Sequence, residues 1–146
     1  MRRISLLALA LIATAVAVPA QAASDKSAPH KCQPHTVGYV VGGTLVSSTL
    51  TLDAAPAKTY SGTLIVLVTK TNKHAKADKG LTKTYTLSHA TVSFSVDVNT
   101  TSPAAGSRIH LQGTITALEP KCSQTGFTPA VTITKVEIHR AKTPKP

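Results

Sequence analysis

The stretch VGYVVGGTLVSSTLTLD, residues 37–53, places Val37, Tyr39, Val41 and Leu45 in one alternating phase, interrupted by Gly42-Gly43. Alternation with a period of two is the mark of a strand with one face buried. Paired glycines inside such a run mark a sharp bend or a close approach of another backbone. A long strand bent in its middle belongs to a sheet that curls.

Further strand signals follow. TLIVLVT (63–69) is apolar in both phases, as a strand covered on both sides would be. TKTYTLS (82–88) is weaker, while TVSFSVDV (91–98) alternates, with Val92, Phe94, Val96 and Val98 expected inward. SRIHLQGTITALE (107–119) puts Ile109, Leu111 and Ile115 on one face. PAVTITKVEIHR (129–140) changes phase between Ile133 and Val136, which predicts a bulge or a change of partner near Thr134. The one helix signal is TNKHAKADKGL (71–81), where Asn72 can cap and Gly80 can stop a short helix. The segment fits a long loop equally well. The chain as a whole reads as all-β, with the folded domain over residues 37–140.

The ends carry a different message. MRRISLLALALIATAVAVPAQA has two arginines, an apolar run and small residues before Ala22, the layout of a secretory signal peptide over residues 1–22. The apolar run is shorter than the roughly 20 residues that span a bilayer. We therefore expect cleavage near Ala22 and a secreted or extracytoplasmic protein with no transmembrane segment after it. Residues 23–36 read as a flexible leader and 141–146 as a basic tail.

The 146 residues include 16 Lys and Arg against 6 Asp and Glu, a net charge of +10, and cleavage would remove only Arg2 and Arg3 from that balance. Such a surface favours polyanions, although it also serves solubility. Two cysteines, Cys32 and Cys122, form an even count in an exported chain and are expected to pair. The competing reading of PHKCQPH (29–35) is a metal site made by His30, Cys32 and His35, with Cys122 as a further ligand. It lacks a CxxC pair and needs thiolates that an oxidising compartment removes.

Five or six strands with glycine-marked bends suit a small barrel. The segments VGGTLVS (41–47), VTKTNKHAK (68–76) and GSRIHLQGTITAL (106–118) resemble small secreted bacterial proteins with an OB-fold-like five-strand barrel. The chain's own helix signal places a short helix or loop after strand two, and the resemblance implies that the start of strand one runs antiparallel to the end of strand four. That pairing would bring Cys32 beside Cys122. One departure is that an OB-fold usually carries its helix between strands three and four, where this chain has NTTSPAAGS (99–107). A β-sandwich therefore stays open as an alternative.

Catalytic signals are sparse. No GxSxG elbow, P-loop or dinucleotide fingerprint occurs, and the six acidic residues are scattered. We expect no enzyme activity and no cofactor, and read a monomeric binding or structural module of the envelope or extracellular space. Two further readings stand beside it. KTNKHAKADKGLTK (70–83) concentrates Lys70, Lys73, Lys76, Lys79 and Lys83 as a candidate site for nucleic acid or another anionic polymer. His30, His35 and the strand-borne pair His110 and His139 are the candidate ligands of an extracytoplasmic metal binder.

Overall fold

The computed structural model describes residues 32–100 and 102–142. The segment read as a signal peptide, most of the expected leader with His30, Thr101 and residues 143–146 lie outside the described residues. The described chain is all-β: β1 (His35–Leu52), β2 (Tyr60–Thr71), β3 (Thr82–Phe94), β4 (Arg108–Ala117) and β5 (Val131–His139), with a 3-10 helix (Lys73–Asp78) after β2. The strands lie in the order β1-β2-β3-β5-β4, and β1 also pairs with β4, so one sheet closes on itself. Every pairing is antiparallel except β3 with β5. A sandwich of two sheets is thereby ruled out. β1 can serve both neighbours because it is 18 residues long: its first half lies against β4 and its second half against β2.

The interior of the ring is the core. Tyr39, Val41 and Leu45 from β1, Leu64, Val66 and Val68 from β2, Ile109 and Leu111 from β4, and Ile133, Val136 and Ile138 from β5 are buried there. Closure also explains where the alternation pattern misleads. TLIVLVT is not covered on both sides: Leu64, Val66 and Val68 face inward, while Ile65 is half-buried and Leu67 is 40% exposed on the outer wall. A ring has one interior, so the second apolar phase faces out. The segments 82–88 and 91–98 run together as one strand, β3, which ends at Phe94. Its buried residues switch from Tyr85 and Leu87 to Ala90 and Val92 across His89, whose φ of 53° rotates the chain. Past the end of β3, Val96 is fully exposed rather than inward, while Val98 packs against the core.

Bulges shape the wall. Register slips between Gln112 and Gly113 leave Thr134 unpaired on β5, which accounts for the phase change from Ile133 to Val136. A second slip lies at Gly42/Gly43, where Gly42 faces Lys70 and Gly43 faces Val68. Thr69 is the extra residue on β2. A Cβ added to Gly43 would lie 2.1 Å from the Leu67 carbonyl oxygen, so the close approach inferred from the glycine pair is present at that position.

The start of β1 runs antiparallel to the end of β4, from His35 opposite Ala117 to Thr44 opposite Arg108. Just beyond that end of the ladder Cys32 and Cys122 form a disulfide, with Cα atoms 5.7 Å apart. The bond closes a span of 90 residues. No helix among the described residues is long and apolar enough to cross a membrane.

A cationic groove over Gly42

The bulge at Thr69 decides what the outer wall presents. Along β2 the even residues Leu64, Val66 and Val68 point inward, and Lys70 would continue that phase. The extra residue reverses it, so Lys70 stands exposed beside Gly42. On the other flank of Gly42, β4 alternates Ile109 and Leu111 inward with Arg108 and His110 outward. Gly42 lies between Lys70 and His110 in a single row that continues to Glu137 on β5. The next row pairs Thr44 with Arg108 and Arg108 with His139.

The result is a groove of about 360 Å³ floored by Gly42 and walled by Lys70, Arg108, His110 and His139. A second depression continues it over Val40 and Thr71 to Asn72, sharing Gly42, Lys70 and His110. Asn72 fixes that end: its side chain donates to the Gly38 carbonyl at 2.8 Å and accepts from the Ala75 amide at 3.0 Å, capping the 3-10 helix as its sequence position predicts. Lys73 follows directly.

The electrostatics are one-sided. Among the described residues, Lys70 and Arg108 have no carboxylate partner; the Arg108 guanidinium donates to the Arg140 carbonyl at 3.4 Å. Glu137 is the nearest acid, 3.8 Å from His110 Nδ1. It is already engaged by Lys135 at 2.7 Å, and that hydrogen bond is the main reason its carboxyl lies below the ordinary glutamate value.

The lysines of 70–83 separate into three kinds. Lys70 belongs to the groove. Lys73 and Lys76 stand one above the other on the 3-10 helix, where residues three apart eclipse, and Lys79 follows as its C-cap; all three are exposed. Lys83 differs: it is half-buried and pairs with Asp78 at 3.2 Å. Asp78 is itself part of a polar cluster that the sequence does not announce. The buried Tyr39 hydroxyl donates to Asp78 Oδ2 at 2.5 Å and lies 2.9 Å from the Tyr85 hydroxyl. Burial first, then the bond to Asp78, raises the Tyr39 phenol far above its ordinary value, and burial also raises Tyr85. Both rings stay neutral and serve as a polar plug that ties the 3-10 helix to the ring.

The histidines divide as well. His110 and His139 share the groove, but no third ligand joins them, and among the described residues no group of three His, Cys, Asp or Glu gathers as a metal site. His35 lies opposite Ala117, about 23 Å beyond His110 along β4 at the ordinary strand rise. Cys32, its neighbour in the opening motif, is spent in the disulfide. His89 points elsewhere, its Nδ1 2.9 Å from Asp53 in the β1–β2 turn. Arg108 is the groove residue that sequence reading missed; its signal is the outward phase it shares with His110.

Comparison with family models, curated proteins and solved structures finds no match to this chain.

Proposed function

We propose that this protein is a non-catalytic binding module of the extracytoplasmic space, an OB-like barrel that holds an anionic polymer on its outer wall. The observation that carries the reading is the charge around Gly42: Lys70 and Arg108, without carboxylate partners among the described residues, stand beside His110 and His139, and the exposed Lys73 and Lys76 follow Asn72 at the groove's end. Cations gathered on one face and outnumbering the acids among them attract a polyanion and release its condensed counterions. The disulfide and the export signal support an oxidising location outside the cytoplasm.

The test is retention on heparin and on single-stranded DNA resin. Lys73→Glu combined with Lys76→Glu should elute at clearly lower salt than the wild type from both. Unchanged elution on both resins would defeat the reading.

A further inference from the structure

Two adjacent glycines behave differently. Gly43 is demanded by the fold, since a Cβ there would collide with the Leu67 carbonyl. Gly42 is not: a Cβ would meet Lys70, Ile109 and His110 at 3.6 to 3.9 Å, ordinary contact distances. The absent side chain at position 42 therefore serves the groove, keeping its floor low between Lys70 and His110.

From this we infer that the groove takes a single phosphodiester strand by its backbone, without reading its bases. The inference deepens the anionic-polymer reading and rests on it. Three features define the ligand. Lys70 and the Arg108–His110 wall are two strand spacings apart, about 10 Å, which admits one slim chain and not a duplex. A phosphodiester carries its charge on the chain itself, so it can settle onto a glycine floor. Sulfated or uronic polysaccharides hang their charges from bulky rings. The donors suit phosphate oxygens: the Arg108 fork, the Lys70 ammonium and the Thr44 hydroxyl at the rim.

Base recognition lacks its usual platform. Single-strand binders stack bases on exposed rings. Here Tyr39 and Tyr85 are locked in the interior cluster, Tyr60 and Phe94 pack edge-to-face at 5.5 Å, and Phe127 lies in the β4–β5 connection. Among the described residues, no Phe, Tyr or Trp lines the groove.

Fluorescence anisotropy at low salt would compare a labelled oligothymidylate of about twelve nucleotides with an abasic phosphodiester of the same length. The two should bind within about threefold of each other, and Gly42→Val should weaken both about tenfold with net charge unchanged. Arg108→Gln should do the same, and stands in if Gly42→Val fails to fold by circular dichroism. Thymidylate binding more than about tenfold tighter than the abasic chain would overturn backbone-only recognition. Unchanged affinity in folded Gly42→Val and Arg108→Gln would overturn the groove assignment. If Lys73→Glu with Lys76→Glu still lowered resin elution, the broader reading would survive that result. Heparin retention with no binding of either phosphodiester would likewise overturn the ligand class alone.

Discussion

The two ends of the 70–83 segment use charge in opposite ways. At one end Lys83 is consumed: it pairs with Asp78, which also accepts from Tyr39, and the cluster is half enclosed by the ring. At the other end Lys70 is turned outward by the bulge at Thr69 and meets further cations instead of an acid. Five lysines that look equivalent in sequence are therefore not equivalent. Charge committed to the fold should show in stability, and charge left unpaired should show in binding.

The largest effect is expected at the committed end. Tyr39→Phe removes the hydroxyl that donates to Asp78 and leaves a part-buried carboxylate one partner short. We expect a loss of about 2 kcal/mol in urea unfolding, with phosphodiester affinity little changed. A stability loss below about 0.5 kcal/mol would mean that the cluster is an ornament of the interior and not its fastening.

An intermediate effect belongs to Asp53, a second committed acid at the β1–β2 turn. The Thr59 hydroxyl at 2.6 Å is the chief cause of its lowered carboxyl pKa, followed by Ser61 and His89. A carboxyl depressed in the folded state stabilises above its unfolded value of about 3.9, and that contribution fades as pH falls through the lower folded value. Wild type should therefore lose stability from about pH 4 downward more steeply than Asp53→Asn. Parallel acid limbs in urea midpoints would show that the turn holds without this charge.

The smallest effect is expected at Glu137, the acid nearest the groove. Glu137→Gln releases Lys135 and removes a competing charge beside His110, so affinity for an anionic strand should rise about twofold at low salt and converge with wild type at high salt. A fall in affinity would place Glu137 among the residues that position the site.

Much of the fold was legible because alternation reports burial wherever a wall has one wet face. Tyr39, Val41, Leu45, Ile109 and Leu111 face inward as their phase predicts, and the phase break near Thr134 marks a real bulge. Val96 and Leu67 went astray for separate reasons. Periodicity does not say where a strand stops, and two apolar phases do not prove two covers. Less of the site was legible. Lys70 looked like one lysine among five, because its orientation is set by an extra residue at Thr69 whose effect appears only against the register of β1. Arg108 drew no notice since its partners, Thr44 and His139, lie on other strands. Nothing in the sequence singles out Asp78 among six scattered acids, yet residues three apart on a 3-10 helix share a side: buried Ala75 and Asp78 both turn toward the ring.

Amide chemical shifts of the isotope-labelled protein, followed during titration with the abasic phosphodiester, test the central claim most directly. Perturbations should gather at Gly42, Thr44, Lys70, Thr71, Arg108 and His139 and extend to Lys73, while Asp53, His89 and Lys58 stay unmoved. Shifts scattered over every exposed lysine, or centred away from Gly42, would contradict it.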